Sequence, residues 1–282
     1  MEVVYTIKDL RERLSQYKKQ VKTIGYVPTM GFLHEGHLSL FKKAKETADI
    51  VVASVFVNPT QFGPNEDFDS YPRDFEHDRL VAEEAGVDLL FHPTVSEIYS
   101  DEDMIQLTVT DRTDCLCGKS RPGHFDGVVT VLSRFFNIVE PNYVFFGKKD
   151  AQQVAVVHGL IQTLHYPIKL IACDTVREPD GLAKSSRNVK LSSEERKEAV
   201  QLYQALKRGE ALINDGEIHT DKVKQAVTDY LHDHLKLGRI DYVEVLSYPQ
   251  LKQTSTMDTT HIIALAVFYE KARLIDNVII EK

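Results

Sequence analysis

Pro28-Thr29-Met30-Gly31-Phe32-Leu33-His34-Glu35-Gly36-His37 stands between an apolar, strand-like run (Ile24, Tyr26, Val27) and a helix-like run from Leu38 to Ala48. A turn that joins a parallel strand to a helix gathers free backbone N–H groups and the positive end of the helix dipole at one point, where a phosphate can dock. His34 and His37 are three apart on the first helical turn and share a face, so both rings reach such an anion. Gly36 lacks the Cβ that would hold a ligand away from the backbone. Two ordinary readings compete: a zinc pair and two surface histidines. The H-E-x-x-H zinc arrangement needs ligands four apart, and here the second histidine arrives one residue early.

Working outward, the first 175 residues alternate short β-branched runs with amphipathic stretches, the pattern of a parallel α/β sheet. Strands are expected at Thr23–Val27, Ile50–Val57, Asp88–Phe91, Tyr143–Phe146 and Ile168–Cys173, and helices at His37–Thr47, Asp74–Ala85, Val128–Val139 and Asp150–Leu164. The stripe Val128, Val131, Leu132, Phe135, Phe136, Val139 has near-3.6 period and reads as packing. After Val176 the texture changes. Glu178-Pro179-Asp180-Gly181-Leu182-Ala183-Lys184-Ser185-Ser186-Arg187-Asn188 is polar and turn-rich, and Ser192 with Glu195 fits a capping box opening a charged helix. A further helix over 219–235 and strands near 241–247, 261–268 and 273–280 follow, without helices between the strands. The expected fold is α/β: a Rossmann-like parallel-sheet N-terminal domain over 1–175 and a smaller α+β C-terminal domain over 176–282.

Composition excludes several classes. The chain of 282 residues carries 34 Lys and Arg against 42 Asp and Glu, a net charge of −8, which argues against a general nucleic-acid binder. No apolar run approaches the ~18 residues of a membrane span; the longest, Ile50–Val57, is interrupted by Ser54. The opening MEVVYTIKDLRERL turns charged too early for a signal peptide. Three cysteines make no even disulfide framework and suit a reducing cytoplasm. Cys115 and Cys117 lie near His124 but lack a fourth ligand, so no metal site is expected of them.

Ligands bind open α/β sheets at the carboxyl ends of the strands, and the distinctive polar stretches fall there: PTMG after Thr23–Val27, NPTQFG after Ile50–Val57, FGKKDAQQ after Tyr143–Phe146. Gln61 is one amide in a loop, ordinarily a solvent-facing side chain. Gly147-Lys148-Lys149-Asp150 opens a helix, with Asp150 as an ordinary N-cap, yet a lysine at that junction also suits a phosphate. Gln153 lies one turn further on. Lys184-Ser185-Ser186-Arg187 places two hydroxyls between two cations, which suits a clamp closing on a polyphosphate.

Together these stretches resemble the nucleotidylyltransferase superfamily, with its H-x-G-H turn and later K-x-S-K-like loop. PTMGFLHEGH, FVNPTQFGPNEDF, YPRD, RPGHFDGVVTVL, FGKKDAQQ, LAKSSRN and the C-terminal ARLIDN, in that order, resemble the pantoate–β-alanine ligase family. The resemblance implies an AMP-forming ligase. Pantoate carboxylate attacks the α-phosphate of ATP, pyrophosphate leaves, and β-alanine displaces AMP from the pantoyl-adenylate to give pantothenate. It further implies that His34 and His37 hold the ATP phosphates, His37 serving as the donor in adenylation, and that Lys149 contacts phosphate. Gly147 and Asp150 contact the nucleoside; Met30, Gly31, Gly36, Lys148, Val176 and Lys184, Ser185, Ser186 and Arg187 complete the ATP contacts. His37, His34, Lys149 and Arg187 form the catalytic set. Gln61 and Gln153 bind pantoate, Gln61 also lying near β-alanine. Magnesium on the phosphates, a lid role for 176–282, a cytoplasmic location and a homodimer are implied too. Lys184 departs from the pattern, which has an apolar residue there more often; it either adds a phosphate contact or points to solvent, leaving Arg187 as the main cation.

The rivals fit less well. A tRNA-synthetase-like enzyme would need a basic surface, and another nucleotidylyltransferase acting on a phosphate-bearing substrate would want arginines in place of Gln61 and Gln153. A nucleotide-sensing relic would have lost a histidine or the lysine, and His34, His37, Lys149 and Arg187 are all present.

Overall fold

The computed structural model describes residues 1–64, 66, 68–100 and 104–281; Asn65 and Asp67 of the FVNPTQFGPNEDF stretch lie outside them. The chain divides into two compact units, Met1–Thr110 with Arg121–Lys148 and Val156–Asp174, and Asp111–Ser120 with Lys149–Ala155 and Thr175–Lys282.

In chain order the strands of the first unit are β1 (Glu2–Val4), β2 (Ile24–Thr29), β3 (Ile50–Val55), β4 (Leu89–Phe91), β5 (Tyr143–Gly147) and β6 (Lys169–Cys173). They form one parallel sheet in the order β1-β4-β3-β2-β5-β6. The chain runs from β2 outward through β3 and β4, then returns to the opposite side of β2 to lay down β5. The reversal of strand order therefore falls between β2 and β5, the place where doubly wound sheets open a crevice at their carboxyl ends. The helices are α1 (Ile7–Lys19), α2 (Glu35–Thr47), α3 (Phe75–Glu84), α4 (Val95–Ile98), α5 (Leu116–Ser120), α6 (His124–Val139) and α7 (Ala151–Thr163). Those that follow are α8 (Ser193–Glu198), α9 (Val200–Asn214) and α10 (Thr220–His234).

β3 is buried along its whole length, as a central parallel strand covered on both faces should be. Ser54, the polar interruption of that run, is satisfied: its hydroxyl lies 2.8 Å from the Tyr26 hydroxyl on the neighbouring strand. The apolar stripe of α6 is core, with Phe135 meeting Tyr26, Phe56 and Phe91 edge-on at ring separations of 5.7–6.1 Å.

The second unit holds the antiparallel strands β7 (Arg239–Ser247), β8 (His261–Phe268) and β9 (Arg273–Ile280), in that order. Alternate residues of β8 face opposite ways. Ile263, Leu265 and Val267 pack with Leu202, Leu206, Val223 and Val227 of α9 and α10. Ile262 and Ala264 pack with Leu116, Ala151 and Ala155. This second packed face is why the stretches 111–120 and 149–155 belong to this unit, and why β8 reads as an unbroken apolar run.

Several elements differ from the sequence expectation. β1 and α1 have no counterpart in it, although Ile7, Leu10, Leu14 and Tyr17 of α1 recur at helical spacing and Leu10 and Leu14 are buried. α6 starts at His124 rather than 128, since Gly127 reads as a breaker. The helix expected from Ser192 divides at Ala199 into α8 and α9, while its capping box between Ser192 and Glu195 is present.

Candidate active site

The turn after β2 is held by a residue from another helix. Gly31 (φ 82°) and Phe32 (φ 52°) are left-handed, and the carboxylate of Asp78 on α3 accepts from Phe32 N at 2.9 Å and Leu33 N at 2.6 Å. A Cβ on Gly31 would sit 2.7 Å from Asp78 Oδ2 and 2.9 Å from Val55 Cγ1, so both backbone conformation and space require glycine there. Burial pushes the Asp78 carboxyl above its ordinary pKa despite those two bonds. Asp78→Ala would strip both N–H groups of their acceptor. With water able to reach the part-buried Phe32, a stability loss of about 2 kcal/mol is expected, read as a lowered midpoint of thermal unfolding. An unchanged midpoint would mean that the turn does not depend on Asp78.

So held, the chain enters α2 through a capping box made of two histidines. His34 is the N-cap: its Nδ1 accepts from Gly36 N at 3.1 Å, while His37 Nδ1 accepts from His34 N at 3.2 Å. The ring centroids are 4.2 Å apart. With each Nδ1 acting as acceptor, each neutral ring carries its proton on Nε2. The local helix chemistry thereby sets both histidines as Nε2–H donors at the positive end of a 13-residue helix.

Gln61 ends a short 3-10 turn (Pro59–Gln61) after β3 and is buried, not solvent-facing. Its Nε2 donates to Met30 Sδ at 3.0 Å, and its Oε1 accepts from Asn58 Nδ2 at 3.2 Å. Asn58 is fixed in turn by Tyr99 OH at 2.7 Å and by donation to the Gly127 carbonyl at 3.1 Å. The Gln61 carbonyl accepts from His124 Nδ1 at 2.8 Å, and His124 Nε2 lies 3.0 Å from Arg121, which is itself forked onto Glu66. Arg121 and His124 come from the RPGH stretch, whose place was legible and whose role was not.

The carboxyl end of β5 gives Gly147, where an added Cβ would meet nothing within 4 Å, leaving its backbone open to a ligand. Lys148 pairs with Asp174 at 2.7 Å. These residues, with Met30, Gly31, His34, Gly36, His37 and Gln61, belong to the first unit.

The remaining candidates belong to the second unit. Lys149 lies 3.6 Å from Asp150, its side chain 20% exposed, less than an ordinary solvated lysine. Asp150 closes the turn leading into α7, whose first turn carries Gln153. Val176 and Lys184 are joined across a hairpin, Lys184 N donating to the Val176 carbonyl at 2.9 Å. Lys184 Nζ is neither in solvent nor idle: it pairs with Glu178 at 2.9 Å. Ser185 Oγ accepts from Arg187 N at 3.2 Å, and Ser186 lies between them in the same half-buried turn. Cys115, Cys117 and Cys173 are free thiols. No helix among the described residues is long and apolar enough to cross a membrane.

Sequence reasoning missed Asp78, Asn58 and Tyr99. Only Asn58, one residue before Pro59, carries a local signal, that of a side chain capping a turn.

A comparison with known proteins matches the family model for pantoate-beta-alanine ligase over residues 2–279. A pantothenate synthetase from Geobacillus sp. (strain WCH70) is 56% identical over 281 residues, covering 100% of this chain and 99% of the relative. Among solved structures, the pantothenate synthetase from Thermus thermophilus superposes with a TM-score of 0.93 at 42% identity, over 99% of each chain. The pantoate-beta-alanine ligase from Francisella tularensis, solved as a complex with beta-gamma ATP and beta-alanine, gives a TM-score of 0.79 at 34% identity over 99% of this chain and 97% of that one. With the family model matched across almost its whole length, this chain belongs to the pantoate–β-alanine ligase family.

Proposed function

We propose that this protein condenses pantoate with β-alanine, using ATP and releasing AMP and pyrophosphate, through a pantoyl-adenylate. The observation that carries the reading is the histidine capping box at the sheet's switch point, which sets two Nε2–H donors where an anion docks.

In the first step a pantoate carboxylate oxygen attacks the α-phosphorus. The bond to the bridging oxygen breaks, and the electron pair leaves with pyrophosphate. Negative charge grows on the α-phosphate and the departing group, and preorganised donors aimed at that charge lower the barrier. We assign this work to His37, His34, Lys149 and Arg187, with Met30, Gly31, Gly36, Gly147, Lys148, Asp150, Val176, Lys184, Ser185 and Ser186 holding ATP. Gln61 and Gln153 are assigned to pantoate. Neutral amides orient the carboxylate while leaving it nucleophilic, whereas a bidentate arginine would stabilise the ground state. In the second step the β-alanine amine attacks the acyl carbon, the acyl–oxygen bond to AMP breaks, and the amine gives up a proton as the amide forms.

The described residues contain no group of three His, Cys, Asp or Glu placed to hold a metal ion. Magnesium, in this proposal, arrives on the triphosphate, a hard cation taking phosphate oxygens and water. A reducing cytoplasm, which suits three free thiols, and a homodimer are part of the same proposal.

Because the first half-reaction is reversible, labelled pyrophosphate should exchange into ATP when the enzyme is given ATP, magnesium and pantoate without β-alanine. ADP as the nucleotide product, with no exchange, would overturn adenylation in favour of an acyl-phosphate route.

A further inference from the structure

Two polar residues, Asp276 and Asn277, sit in the apolar middle of β9. Asp276 and Asn277 are 3% and 7% exposed and flanked by Leu274, Ile275, Val278 and Ile279. Stability alone does not account for them. Burying an ion pair gains little over apolar residues of similar volume, and burial pushes the Asp276 carboxyl above its ordinary pKa even beside an arginine.

What the two residues touch is specific. Asn277 Nδ2 donates to the Lys149 carbonyl at 2.8 Å. Asp276 takes Arg177 in a forked pair at 2.6 and 3.0 Å, and its oxygen also accepts from Asn277 N at 2.8 Å. Arg177 lies 3.7 Å over the Tyr203 ring and donates to the Gly181 carbonyl at 3.1 Å. It also stands opposite Ala183 in the hairpin that leads to Lys184. One dipeptide of β9 thus fastens two separate segments, the residue carrying the Lys149 ammonium and the base of the 176–184 hairpin.

We propose that Asp276 and Asn277 are positioning residues for ATP: Asn277 fixes the Lys149 backbone, and Asp276, through Arg177, fixes the hairpin ahead of Ser185–Arg187. This rests on the reading of Lys149 and the 184–187 turn as ATP contacts. Neither β9 residue touches the nucleotide; each limits how far a cation can wander from it, and small misplacements are costly in a charge-stabilised transition state.

The test is pyrophosphate exchange on the full chain with Asn277→Ala, Lys149→Met and the double variant, alongside thermal unfolding. Asn277→Ala should raise KM for ATP about tenfold, the loss expected of one buried hydrogen bond, with KM for pantoate unchanged. In the Lys149→Met background the Asn277→Ala effect should vanish, because there is no ammonium left to position. Asn277→Ser carries the same test if Asn277→Ala does not fold. An ATP KM within twofold of the parent, or an effect that persists in the Lys149→Met background, overturns the inference. If Lys149→Met itself leaves ATP use intact, the assignment of Lys149 to phosphate falls instead, and the inference with it.

Discussion

His37→Ala is expected to slow adenylate formation by about 10²–10³, the loss typical of removing one transition-state donor, while the protein stays folded. The two duties of His37 can be separated. As the third residue of α2 its Nδ1 caps His34 N, and losing a cap costs roughly 1 kcal/mol; in the proposed role its Nε2–H would meet the charge that grows on the phosphates. His37→Gln keeps the first duty, because glutamine is itself a capping-box residue at this position, and its amide N–H is a weaker donor than the Nε2–H of an imidazole ring. Unfolding midpoints should therefore recover in His37→Gln while single-turnover rates remain depressed. If the first step runs at the parent rate in His37→Ala, His37 is only a cap, and the charge must be met by other groups.

That result would also mark how far residues can be read for chemistry before a structure is known. The strand–turn–helix around His34 and His37 was legible because everything that makes it is local: a β-branched run, a glycine, a 3.6-period helix. The Ser192–Glu195 box and the strands at 261–268 and 273–280 were legible for the same reason. What supports the site is not local. Asp78 stands 45 residues from Leu33, and His124 63 residues from Gln61; no periodicity links such pairs. Gln61 defied its ordinary reading because its burial is imposed by α6 and Asn58, not by its own neighbours in sequence. The stretches 111–120 and 149–155 likewise looked like parts of the parallel-sheet half, and they pack with the second unit because β8 presents an apolar row on each of its two faces. The ARLIDN stretch was recognised as a resemblance, but its contacts with Arg177 and Lys149 exist only once the chain has folded.

Gly127 is the position where this distance between sequence signal and structural role is widest, and Gly127→Ala is expected to be among the most damaging single changes. By helix propensity alone, alanine should improve α6 by roughly 1 kcal/mol. A Cβ at this position, however, would lie 2.3 Å from Thr60 O, 2.5 Å from Thr60 C and 2.6 Å from Gln61 N. All three are backbone atoms, so no side-chain rotation relieves the clash; α6 and the 59–61 turn must part by at least about 1 Å to restore ordinary contact. The same parting stretches the bond from Asn58 Nδ2 to the Gly127 carbonyl and with it the seat of Gln61 against Met30. Overpacking of this kind costs about 1–3 kcal/mol of stability, and a displacement of about 1 Å in a substrate-orienting group costs on the order of 10² in rate. Gly127→Ala should therefore raise KM for pantoate and depress turnover about 10²-fold while leaving nucleotide affinity, measured by calorimetry with ATP and magnesium, close to the parent's. Nucleotide and pantoate affinities falling together would show that the 59–61 turn supports the whole site and not the pantoate pocket, and the assignment of Gln61 to pantoate would have to be withdrawn.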